Sequence, residues 1–195
     1  MKRLLIFAAC LAFFQFASAQ KNLLARDENN KYIYYQIVDR PGVSADSLGK
    51  QAAGFIKSFF STSKAIISND TILSVKGYFE TYSVLAFAKH ESGKITFTFS
   101  FESRANKYRF WLTDFVFTPY ERNRYGQFVP VIGRDIALEQ SDIKIDKKEL
   151  EGYLDQTGSY CQDLGARLKL YVVQDHQSKK GAATEQVKKI TTKNW

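Results

Sequence analysis

The chain has 195 residues, with 28 Lys plus Arg against 20 Asp plus Glu and a formal charge of +8. Two cysteines are too few for a disulfide framework, and with no Cys pair and neither histidine in a metal-ligand spacing no zinc centre is expected. With 45% hydrophobic and 15% aromatic residues, the composition is that of a folding chain and not of a disordered one.

The opening MKRLLIFAACLAFFQFASAQ reads as a secretory signal. Lys2 and Arg3 give the basic start, Leu4 to Phe16 the apolar run, and Ala17-Ser18-Ala19 the small-residue cleavage site. That run is 13 residues, whereas about 20 are needed to span a bilayer. Residues 1–19 are therefore expected to be cleaved, placing the mature protein in the periplasm, the cell envelope or the medium. An alternative lipoprotein signal at Phe7-Ala8-Ala9-Cys10 would shorten the apolar run and leave the later cleavage site unused. Losing Lys2 and Arg3 lowers the charge from +8 to +6 over 176 remaining residues. Outside the cytoplasm this excess implies solubility or weak peripheral contact with an anionic envelope, not nucleic acid. Cleavage also leaves Cys161 as the only thiol, expected as a small buried residue on a helix. No later segment is long and apolar enough to cross a membrane.

After a lead over residues 20–30, one domain is expected over 31–173. Lys31 to Val38 (KYIYYQIV) is a strand, stopped by Asp39-Arg40-Pro41-Gly42. A helix follows with Ser44 as N-cap, Asp46 in its first turn and an apolar stripe of Leu48, Ala52, Phe55, Ile56, Phe59 and Phe60. Strands are then expected at Ala65–Ser68, Thr71–Phe79, Tyr82–Lys89, Ile95–Glu102 and Lys107–Phe117. Their short separators, among them Glu80-Thr81 and Ser92-Gly93, imply antiparallel neighbours.

Pairing Glu102 with Lys107 sets Phe101, Phe99 and Phe97 opposite Tyr108, Phe110 and Leu112 on one face. The other face then pairs Ser100 with Arg109 and Thr98 with Trp111. A Ser92-Gly93 turn would set Val84, Ala86 and Ala88 opposite Phe101, Phe99 and Phe97. The parity switch from Phe110 and Leu112 to Phe115 and Phe117 calls for a bulge near Thr113-Asp114. Residues 118–140 read as a long loop with one short strand at Phe128–Ile132. A second helix over 146–173 starts at Asp146 with Glu149 in capping-box spacing. Gly152, Gly158 and Gly165 are expected to kink or split it. Residues 174–195 form a polar, lysine-rich tail by composition.

Residues 31–140 resemble a domain-of-unknown-function family with a TATA-binding-protein-like fold, found in exported proteins of Gram-negative bacteria. The carriers are YIYYQIV, FIKSFF, KITFTFSFE, NKYRFWLTDFVFTPYE and GQFVPVIG. The resemblance implies an α+β fold: a curved antiparallel sheet of five to six strands in the order β-α-β-β-β-β-α, with two helices packed on one face. It carries no activity, so no catalytic residue transfers, and the nucleic-acid role of the fold's namesake does not transfer either.

For chemistry the chain offers little. His90 and His176 lack metal-ligand spacing, no phosphate or dinucleotide loop is present, and no cofactor is implied. His90-Glu91-Ser92 holds triad residue types, but adjacent residues on a turn cannot form a triad with one another. Asp114, at the expected bulge, is either a perturbed carboxylate or a structural partner of Arg109 or a loop arginine. The sharper candidate is the open sheet face, where Leu85, Phe87, Thr98, Ser100, Arg109 and Trp111 are expected to form an aromatic platform. Either a glycan, peptide or protein partner covers this row, or the 118–140 stretch or the tail does. The leading expectation is a non-enzymatic binding module; an envelope accessory subunit acting through its basic tail stands second, and a hydrolase third.

Overall fold

The computed structural model describes residues 23–60, 65–67, 72–83, 90–140 and 145–174. In chain order the elements are β1 (Ala25–Arg26), β2 (Tyr32–Asp39), α1 (Ala45–Phe59), β3 (Ala65–Ile67), β4 (Ile72–Tyr82), β5 (Glu91–Arg104), β6 (Lys107–Arg122), β7 (Phe128–Pro130), β8 (Ile136–Ala137) and α2 (Lys147–Val173). The antiparallel sheet runs β1-β2-β6-β5-β4-β3, with short β7 and β8 attached to β6. Both helices pack on the same face. The fold is the expected α+β arrangement, with two short strands more than the sequence suggests. The leader at 1–19 and the tail from 175 onward lie outside the described residues.

Local chemistry starts both helices where the sequence places them. The Ser44 hydroxyl accepts from the Ser47 amide at 3.2 Å, and Asp46 pairs with Lys50 one turn on at 2.7 Å. Asp146 accepts from the amides of Lys148 and Glu149 at 2.9 and 3.4 Å. The Glu149 carboxylate accepts from the Tyr153 hydroxyl at 2.7 Å. The second helix is one unbroken span of 27 residues, so the expected split does not occur. Its glycines serve close approach: a Cβ on Gly165 would stand 3.0 Å from the Phe110 ring, and one on Gly158 would stand 2.8 Å from Leu23. Packing against the sheet outweighs the roughly 1 kcal/mol of lost helix propensity.

The inner sheet face is a phenyl layer. Phe97, Phe99 and Phe101 are all but inaccessible, beneath Phe55 and Phe60 of the α1 end and Tyr160 of α2. Each such ring contributes roughly 1.5–3 kcal/mol relative to exposure. Cys161 is fully buried beside Leu164 and Leu168, as expected of an apolar filler, and burial pushes its thiol pKa well up.

Two pairings differ from expectation. The β5–β6 hairpin turns on two residues, Ala105 and Asn106, so Arg104 rather than Glu102 faces Lys107. Phe101 then faces Phe110, Phe99 faces Leu112, and Ser100 faces Trp111. This is a slip of two positions, which keeps every side chain on its expected face. Asn106 takes φ +67° and its carbonyl and amide tie the turn to Arg40 and Val43.

The second difference is larger. The strand beside β5 is β4, with Leu73, Val75, Gly77 and Phe79 opposite Phe101, Phe99, Phe97 and Ile95. The expected partners Val84, Ala86 and Ala88 are therefore displaced, and residues 84–89 lie outside the described ones. Glu80-Thr81 and Ser92-Gly93 lie inside strands, not at turns. The Thr81 hydroxyl donates to the Gly93 carbonyl at 2.9 Å, and Gly93 is small because the Phe117 ring fills its Cβ position. The expected bulge is present: Thr96 faces Val116 and Thr98 faces Thr113, leaving Asp114 at φ +56° as the extra residue.

Candidate functional site

With both helices on the inner face, the outer side chains of β2, β6, β5 and β4 form cross-strand rows. One row reads Tyr35, Trp111, Ser100 and Ser74; the next reads Ile37, Arg109, Glu102 and Ile72. Tyr35 is 44% and Ile37 59% exposed, while Trp111 and Arg109 are half-buried beside them. Two residues apart on β2, Tyr35 and Ile37 point the same way and form one adjacent exposed apolar pair.

Charge on this face is organised around Glu102, whose side chain is only 10% exposed. Its carboxylate accepts from Arg109 Nε at 2.6 Å and from Arg104 Nε at 3.2 Å. The Arg109 hydrogen bond holds the Glu102 pKa below the usual carboxylate value against the opposing effect of burial. The Arg109 guanidinium contacts the Tyr35 hydroxyl and Glu102, which raise its own pKa, and lies 5.4 Å from the centre of the Trp111 ring. Glu102 is shared by Arg104 and Arg109, and Asp39 faces Lys107 across the β2–β6 ladder, so three cations stand against two carboxylates at this end of the sheet. Two concavities flank the row. One of about 130 Å³ lies between Tyr35, Ile37, Arg104 and Lys107; another of about 460 Å³ is bounded by Asp27, Glu28, Ile33 and Trp111.

Of the six residues the sequence places on this face, the structure brings Ser100, Arg109 and Trp111 together. Thr98 lies one row away, between Thr113 and Lys76. The slot beside Thr98 expected for Phe87 belongs to Lys76, because β4 and not the 82–89 segment pairs with β5. Leu85 and Phe87 themselves lie outside the described residues. The 118–140 stretch does not pair over this row; β7 and β8 run along the second half of β6, and Leu138 enters the core.

Tyr35, Ile37 and Glu102 are the functional candidates the sequence reading misses. KYIYYQIV is apolar at even and odd positions alike, so alternation alone gives β2 no inside or outside. Glu102 carries a signal, a lone carboxylate between Arg104 and Arg109, legible once the hairpin register is known.

The other candidates have structural partners. Asp114 pairs with Lys31 at 2.6 Å rather than with an arginine, both side chains 43% exposed. His90 stacks on Phe128 with ring centres 5.4 Å apart, and Ser92 Oγ lies 3.4 Å from Thr81 Oγ1.

This outer-face geometry lies within a stretch that matches a family described as "Domain of unknown function (DUF4468) with TBP-like fold" over residues 34–118. Over residues 34–118 the chain is similar to the DUF4468 family. That stretch begins in β2 and ends in β6, so Tyr35, Ile37, Glu102, Arg109 and Trp111 all fall inside it. Similar solved structures include a TBP-like protein from Parabacteroides distasonis, 15% identical, with a TM-score of 0.56 over 76% of this chain and 97% of that one. A DUF4468 family protein from Bacteroides ovatus is 11% identical, with a TM-score of 0.56 over 76% of this chain and 90% of that one. At these identities the likeness is one of fold. No curated protein matches the sequence.

Proposed function

We propose that this chain is an exported, non-enzymatic binding module whose DUF4468-like domain takes a protein partner on its open sheet face. The observation that carries the reading is Tyr35 and Ile37, exposed side by side on the face away from both helices, with Trp111 and Arg109 next to them. Tyr, Trp and Arg are the residues that dominate the centres of protein interfaces. The aliphatic Ile33 and Ile37 favour a protein side chain over a glycan, whose hydroxyls they would desolvate without a hydrogen bond. The partner segment presents an apolar residue to the hollow between Tyr35 and Ile37 and a carboxylate to Arg104 and Lys107. Export rests on the signal-like residues 1–19, which would deliver the module outside the cytoplasm.

The test is a photo-crosslinking residue placed at Tyr35 and, as control, at exposed Lys57 on α1, in the source cells. A discrete adduct at 35, absent at 57 and abolished by Ile37→Asp, supports the reading. An adduct of twice the chain mass makes the partner a second copy, and no adduct at 35 overturns the proposal.

A further inference from the structure

A second concavity lies at the far end of the sheet, between the start of β5, the end of β6, the 133–140 segment and the first turns of α2. Its volume is about 610 Å³, inside the range of roughly 300–1,000 Å³ typical of small-molecule sites. Two ring pairs line it: Tyr153 on Phe117, with centres 4.4 Å apart, and Phe128 on His90 at 5.4 Å. Between them stand polar groups with capacity to spare. Glu149 accepts from Tyr153 through one oxygen, and Asp135 accepts from Thr118 Oγ1 at 2.6 Å through one oxygen, leaving each a second acceptor. The exposed Arg134 guanidinium makes no ion pair among the described residues and supplies donors in a planar fork.

We propose that this cleft binds a neutral saccharide. Sugar hydroxyls are donors and acceptors at once, matching carboxylates and a guanidinium in one site, while their C–H faces pack on aromatic rings. An anionic ligand would meet Glu91, Asp135, Asp146 and Glu149 against a single arginine. A wholly apolar one would strip water from these groups and return nothing. The site shares no residue with the open-face patch, so the two readings stand or fall separately.

The test titrates the isotopically labelled protein with three neutral trisaccharides (maltotriose, cellotriose and triacetylchitotriose) and with acidic trigalacturonate. At least one neutral probe should give saturable amide shifts confined to the cleft. Phe128→Ala and Arg134→Ala should each weaken that binding at least tenfold; both side chains are exposed, and an unchanged melting temperature confirms that the fold is intact. No saturable shift with any neutral probe, tighter binding of trigalacturonate, or shifts centred on Tyr35 and Trp111 would each overturn the proposal.

Discussion

Gly77 sits directly across from Phe97, and the Phe60 ring closes over the pair. A Cβ at position 77 would stand 2.6 Å from Phe97 Cζ and 2.7 Å from Phe60 Cε1. Neither ring has slack, since Phe97 also abuts Phe79, Phe115 and Tyr160. Gly77→Ala should therefore destabilise by about 1–3 kcal/mol through overpacking, despite the better strand propensity of alanine. Urea unfolding monitored at equilibrium should show a lower midpoint with an unchanged slope. A midpoint equal to that of the parent would mean that the phenyl layer shifts freely, contrary to this packing.

Asp114 is the extra residue of the β6 bulge, held at φ +56°. Aspartate tolerates this left-handed conformation; a β-branched residue does not. Asp114→Val should cost about 1–3 kcal/mol. Asp114→Gly removes the strain and loses only the Lys31 ion pair, which is exposed on both sides and worth roughly 0–1 kcal/mol. The two variants should therefore separate clearly in denaturant midpoint. Equal stability of Val and Gly at this position would remove the bulge as the cause of the parity switch.

The Glu102 carboxyl titrates below its ordinary range because Arg109, and then Arg104, hydrogen-bond its charged form. A folded-state pKa lower than the unfolded one adds stability that is fully present above the unfolded value, near pH 4.5. That contribution is lost as pH falls through the folded value. Glu102→Gln keeps the shape and removes the charge, so its stability deficit should be largest at pH 7 and shrink by pH 3. A deficit that is constant across this range would assign the loss to packing alone.

How much of this was legible in the sequence is clearest in ITFTFSFE itself. Alternation says that Phe97, Phe99 and Phe101 share a face and that Thr98 and Ser100 share the other, and both statements hold. It is blind to the partner. A slip of two positions leaves every side chain on the same face, so Glu102–Lys107 and Arg104–Lys107 satisfy the same pattern. The deciding contact is non-local: Asn106 turns the chain because it docks on Arg40 and Val43, about 65 residues upstream. The same blindness pairs Val84 with Phe101, since 72–82 and 82–89 both alternate and the nearer segment wins when only local turns are weighed. Gly93 reads as part of a turn, yet both it and Gly77 are sockets for phenyl rings. Tyr35 and Ile37 stay hidden until β2, first in the domain, is seen to pair with β6 more than 70 residues on.

Cys161 gives a stringent check on the core that joins α2 to the sheet. Its side chain is fully buried, and burial raises its thiol pKa, so the native state offers reagents neither access nor thiolate. Labelling must wait for α2 to leave the sheet, an opening that in a cooperative core approaches the full free energy of unfolding. With several kcal/mol opposing it, the labelling rate should lie at least ~10³-fold below that of an exposed thiol and rise steeply with denaturant. Gly165→Val, which forces the helix away from Phe110, should speed labelling under native conditions before far-UV helicity is lost. Rapid labelling of Cys161 itself in native buffer, read in the chain lacking residues 1–19 and so Cys10, would mean that α2 is only loosely seated, and the inner face would then need another cover.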